Sequence, residues 1–176
     1  MDVLAHGLWG GALFGNRTRR QWRFACLLGA APDLIALGPF TAYLMLISGS
    51  AEFPPYVYKA YNVTHSLVVW TIVAGTIWLF RQEFPWVWCA WGLHVLCDIP
   101  LHETSFFPTP YLWPFKTHFV NGVHWGQFWL IALNWAALVI IYATYVVRKH
   151  QYGLWDDSTR SVQILGIYHE EKPDAN

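Results

Sequence analysis

Six ionisable side chains stand inside or at the edge of long apolar stretches: His6, Asp33, His65, His94, Asp98 and His102. A titratable group in hydrocarbon costs about 2.5–3.5 kcal/mol on insertion scales, so such residues are rare without a purpose. Imidazoles with carboxylates form a ligand set for a divalent metal, and zinc suits that mixture best. One chemistry open to such a centre is hydrolysis. A bound metal draws the pKa of water toward about 7 and polarises a phosphoryl or acyl oxygen. His65, His94 and Asp98 are the leading ligands, with Asp33 and His6 completing the shell. Either Asp33 or Asp98 can act as base instead of ligand.

His94 and Asp98 give the sharpest local signal. Four residues apart, they differ by about 40° around a helix and stack on one face. His102 continues that stripe, although Pro100 weakens the helix and can turn His102 away. The competing reading is a buried His–Asp hydrogen bond that ties helices together. Asp33 follows Pro32, whose missing N–H frees a carbonyl upstream and creates a polar spot. It could equally cap a broken helix. His65 lies in Tyr61-Asn62-Val63-Thr64-His65-Ser66, where Thr64 or Asn62 could cap the next helix. His6 is either a ligand or an interfacial residue. His118 and His124 read as residues without a role in the site, and His150 and His169 lie away from it. The three cysteines, Cys26, Cys89 and Cys97, read as small buried hydrophobes.

The elements that must position these groups are membrane helices. The chain is 55% hydrophobic and 12% charged, against about 25% charged in a typical soluble domain. Its 12 Trp residues suit a protein with two water–lipid interfaces. Lys+Arg and Asp+Glu both number 11, which gives no charge case for nucleic acid. The fold class expected is all-α, an integral membrane bundle of about four spans. These run from about Phe24 to Ile47, Thr64 to Phe80, Phe84 to Leu101 and His124 to Val147. A short helix, from about Asp2 to Phe14, precedes them. Its Gly7 and Gly11, with Gly15 beyond, form a stripe that admits a close helix neighbour. Residues 1–150 make the bundle and 151–176 a polar tail, disordered toward Glu170–Asn176. The start of the chain lacks the features of a cleaved secretory signal and is expected to stay.

Charge sets the orientation. Arg17, Arg19, Arg20, Arg23, Arg81, Arg148, Lys149, Arg160 and Lys172 fall on one side, and only Lys59 and Lys116 on the other. The positive-inside rule therefore predicts an inner-membrane protein with its C-terminus in the cytoplasm. Two loops rich in Pro and aromatics, about 48–63 and 102–123, then face outward. They are expected to resist regular helix and to form a lid. With this topology Asp33, His65, His94 and Asp98 converge in the outer half of the bundle. The sequons at Asn16 and Asn62 carry little weight.

The ordered series His6, Pro32-Asp33, Thr64-His65-Ser66, His94-x-x-x-Asp98 and Trp113-Pro114-Phe115 resembles the membrane-bound metal-dependent hydrolase family. Its motif order is in turn similar to that of zinc-dependent phospholipase C. The resemblance covers about residues 1–125. It implies a small multi-span membrane hydrolase with a metal centre acting on a lipid ester or phosphoester. The chain departs from the pattern at Ile35, where a second acid is common. It also departs at Ala60-Tyr61-Asn62, where a His-Arg-Gly-type run is common. Both departures bear on metal number and substrate.

Two other readings use the same residues. Paired transmembrane histidines can hold haem, although Asp33 and Asp98 have no part as ligands there. A non-catalytic metal-binding scaffold or transporter would use the cluster as a structural or ion site.

Overall fold

The computed structural model describes residues 1–15, 18–49, 53–105, 107–115 and 119–152. His118, most of the polar tail with His169, Lys116 and Arg17 lie outside the described residues, as does the side chain of His150. The described chain is all-α and contains no strand. Its helices are α1 (Val3–Phe14), α2 (Arg19–Leu37), α3 (Pro39–Ser48), α4 (Pro55–Thr64), α5 (Leu67–Arg81), α6 (Cys89–Leu101) and α7 (Phe128–Tyr152). A 3-10 turn at Trp86–Trp88 leads into α6.

Local chemistry sets the helix starts. Asp2 accepts from Ala5 N at the head of α1, and Thr18 from Gln21 N at the head of α2. Ser66 accepts from Val69 N and caps α5, satisfying a backbone donor that the helix leaves open. Neither Thr64 nor Asn62 has that role: Thr64 ends α4, and His65 follows as its C-cap. The loop expected over 48–63 is partly helical, because Pro55 stands at the first position of α4. There its absent N–H costs nothing and its fixed φ favours the helix. Pro39 does the same for α3.

The glycine stripe is a helix–helix contact. A Cβ at Gly7 would meet Cys26 O at 3.0 Å and one at Gly15 would meet Trp22 Cα at 2.5 Å, while Gly10, beside the stripe, would meet Ala25 O at 2.7 Å. From α2, a Cβ at Gly29 would meet His6 O at 2.5 Å. Small residues on both helices thus bring the two backbones together and sink His6 into the interior. α2 also packs on α4 and α6. α7 lies against α1 through polar anchors: Trp9 Nε1 donates to Asn134 Oδ1 (2.8 Å) and Tyr142 OH to Leu8 O (2.8 Å).

Four spans are expected from the sequence, and the structure has fewer. Among the described residues two stretches are long and apolar enough to cross a bilayer, Arg19–Ser48, which joins α2 and α3, and Phe128–Val147. The pair Pro55–Thr64 and Leu67–Arg81, bent by 55°, makes a third if it is counted as one span. The stretch from Phe84 to Leu101 falls short. Only 13 residues of it form α6, about 20 Å against a hydrocarbon core of about 30 Å. The spans have large apolar side chains on their outer faces, including Leu46 at 82% exposure, Phe80 at 85% and Phe128 at 85%. Such faces mark a membrane protein, since in water they would be an aggregation hazard.

Candidate metal centre

Each elementary feature of the sequence delivers one group to a common point. α2 carries Asp33 past Pro32, the α4–α5 corner carries His65, and α6 carries His94 and Asp98 on successive turns. All four are buried: Asp33 is 6% exposed, His65 0%, His94 1% and Asp98 1%. One ligand atom from each lies within 4.8 Å of all the others, a group that can hold a metal ion.

Five of the six spacings among these atoms lie near the edge length of a tetrahedral site. His65 Nε2 and His94 Nε2 are 3.0 Å apart. Asp33 Oδ1 lies 3.3 Å from His65 Nε2 and 3.7 Å from His94 Nε2. Asp98 Oδ2 lies 3.6 Å and 3.4 Å from the same two nitrogens. A tetrahedron with metal–ligand bonds of about 2.0–2.1 Å has edges of about 3.3 Å.

The outward-facing nitrogens fix which atoms point inward. His94 Nδ1 lies 2.7 Å from Gly29 O. A carbonyl only accepts, so Nδ1 carries the hydrogen. Gly29 lies on the turn before Pro32, whose missing N–H leaves the Leu28 carbonyl without its helical donor. His65 Nδ1 lies 3.0 Å from Thr64 Oγ1. The Thr64 hydroxyl donates to Ala60 O at 3.0 Å, leaving its oxygen to accept from His65. With that tautomer on both rings, the two Nε2 atoms present lone pairs to each other at hydrogen-bond distance, an arrangement suited to a cation between them. Asp98 Oδ2, also facing this point, is a buried oxygen without a hydrogen-bond partner among the described residues. Lone pairs converging in a buried site, and an orphaned carboxylate oxygen, fit a cation.

His6 and His102 stand outside this four-atom group. His6 Nε2 lies 2.9 Å from Asp98 Oδ1, and its ring stacks on His94 at 3.7 Å between centroids. It holds the carboxylate by one oxygen and leaves the other to the centre. His102 diverges as Pro100 allows, with extended backbone at the end of α6. Its Nδ1 meets Tyr61 OH at 2.9 Å and Thr109 Oγ1 at 3.3 Å. Burial pushes its pKa down to about 4, so the ring is neutral near pH 7 and offers Asp98 no counter-charge. His124 accepts from Gly126 N in the loop before α7 and takes no part.

Two contributors were not legible as site residues. Tyr61 stacks on His65 at 3.8 Å, and its hydroxyl donates to Phe107 O at 3.1 Å. Thr64 orients His65. Their signal in the sequence is the helical spacing from Tyr61 to His65, which a cap reading obscures. The later loop closes over the same corner: Ser66 Oγ donates to Trp113 O (2.6 Å) and Leu67 N to Tyr111 O (2.9 Å). Ile35 is 61% exposed and faces away from the centre. No family model, curated protein or solved structure matches the chain.

Proposed function

We propose that the protein is a membrane-embedded metal-dependent hydrolase acting on a lipid-like ester or phosphoester. The observation that carries this reading is the pair of imidazoles whose Nδ1 atoms are committed elsewhere while their bare Nε2 atoms converge with two carboxylates. His65, His94 and Asp98 hold the metal, with zinc the natural choice for these donors. When bound, the metal supplies Lewis acidity and activates water near neutral pH. Asp33 has the largest exposure of the four residues. It is the carboxylate placed to take the proton from attacking water and return it to the leaving group. His6 holds Asp98 in its orientation, and Thr64 and Gly29 hold the two imidazoles. Positive-inside charge supports a site toward the outer leaflet of the inner membrane and a cytoplasmic C-terminus. The order of motifs shared with the membrane-bound metal-dependent hydrolases supports the substrate class.

A second reading is favoured by the burial itself. Four protein donors saturate a tetrahedral ion, and closed sites of that kind are structural. Metal analysis of detergent-purified protein, paired with hydrolysis assays on phospholipids and lipid esters, separates the two. Wild type should carry metal, and His94→Ala and Asp98→Ala should lose it; full retention in both would refute the metal site. Asp33→Asn that keeps metal and loses hydrolysis supports catalysis. A metal-loaded wild type that cleaves no lipid ester or phosphoester supports the structural reading.

A further inference from the structure

A second site lies at the other end of the helices. Arg19 begins α2 and Arg81 ends α5. Asp33 is 14 residues along α2 from Arg19, and Arg81 is 14 residues along α5 from Leu67, two residues after His65. At about 1.5 Å per residue, both arginines are about 21 Å from the metal centre along their helices. Two distant parts of the chain thus deliver basic groups to one place.

That place is a cavity of about 1150 Å³ lined by Arg19, Arg20, Arg23 and Arg81. One acid, Glu83, also lines it. All four arginines are exposed. The remaining wall is largely apolar and aromatic, formed by Phe24, Leu27, Phe84 and the Trp86–Trp88 turn. Phe24 and Trp88 meet edge to face at 6.1 Å. The cavity therefore joins a cluster of guanidinium groups to an apolar flank with tryptophans, which favour the interface between headgroups and acyl chains.

We infer that this groove binds the headgroup of an anionic phospholipid of the membrane. Guanidinium groups present planar paired donors to phosphate oxygens. Phe24, Leu27 and Trp88 give the upper acyl chain an apolar wall. A free phosphate ion would engage the arginines alone and leave that wall unused. The positive-inside side is also the leaflet where basic residues meet anionic lipid. The site depends on the membrane reading and is independent of the metal centre and of any hydrolysis.

The test is lipid retention by the full chain in detergent, read by native mass spectrometry. The probe is an equal mixture of phosphatidylglycerol and phosphatidylcholine. Wild type should retain phosphatidylglycerol preferentially. Arg23→Gln with Arg81→Gln should lower that preference by about 25-fold, taking about fivefold per basic residue at a membrane surface. Lys59→Gln, an exposed residue on α4, should leave it unchanged. Equal preference in wild type and the double variant overturns the site. Full displacement of phosphatidylglycerol by inorganic phosphate overturns the lipid assignment in favour of a free-phosphate site. If the double variant does not fold, a salt series on wild type decides: the preference must fall as salt rises, and indifference to salt overturns the site.

Discussion

His65 Nε2 and His94 Nε2 face each other across 3.0 Å, each with its other ring nitrogen already engaged by an oxygen. When both Nδ1 atoms carry the hydrogen, the two Nε2 lone pairs face each other and a cation between them relieves their repulsion. A metal ion should therefore stabilise the folded state. Removing it with a chelator should lower the melting temperature of wild type in detergent and leave His94→Ala unmoved. Binding at a hundredfold excess over Kd contributes about 2.7 kcal/mol. A wild-type melt indifferent to both chelator and added zinc would contradict this.

Thr64 reaches the centre through His65 Nδ1 at 3.0 Å, and its hydroxyl also lies 3.3 Å from Pro32 O beside Asp33. Thr64→Val removes the oxygen that accepts from His65 Nδ1 and keeps the side-chain shape. Metal affinity should fall about 10–100-fold, the usual effect of losing a partner that orients a ligand. Thr64→Ser should restore it. Competition against a chromogenic chelator measures both, and equal affinities in Val and Ser variants would remove Thr64 from the site.

The close approach of α1 and α2 can be tested with two glycines. A side chain at Gly10 would meet the Ala25 carbonyl and Ala90 Cβ, whereas Gly75 has open space around its Cβ position. Gly10→Val should destabilise by about 1–3 kcal/mol through overpacking. Gly75→Ala should be neutral or stabilising by about 0.5–1 kcal/mol, because it relieves a glycine in a helix interior. Thermal melts of the two variants should move apart; a shared, unchanged melt would deny the tight helix contact.

Orientation has its own readout. Single cysteines in a background lacking Cys26, Cys89 and Cys97, placed at Glu103 and at Glu83, should label from opposite sides in intact cells with an impermeant maleimide. Glu103 belongs to the loop beyond α6 and Glu83 to the turn beside Arg81. External reagent should reach position 103 only. Labelling at 83 alone would invert the topology and place the metal centre toward the cytoplasm.

Much of the centre could be read from the chain because helical geometry is local. His94 and Asp98 had to share a face once α6 was a helix, and charge counting placed Asp33 and His65 toward the same end. The glycine stripe likewise announced a close neighbour. The span count was less legible. Pro85 and Pro100 bracket a stretch whose hydropathy suits a span but whose helix is only 13 residues long. The helix at Pro55–Thr64 was hidden because proline reads as a breaker, although at the first position it starts a helix.

The sequence by itself determined the residue types, the helical registers and the apolar stretches that set imidazoles and carboxylates in or beside apolar helices. These depend on neighbours a few residues away. Only the tertiary structure decided which groups meet and which atoms of each point inward. His6 and Asp98 are 92 positions apart, yet their contact sets His6 beside the four-residue group, against the carboxylate of Asp98. His102, on the same stripe as Asp98, was drawn instead to Tyr61 and Thr109. Such choices rest on hydrogen bonds between distant segments inside a close-packed interior, where each buried polar group must find a partner and helical spacing names none.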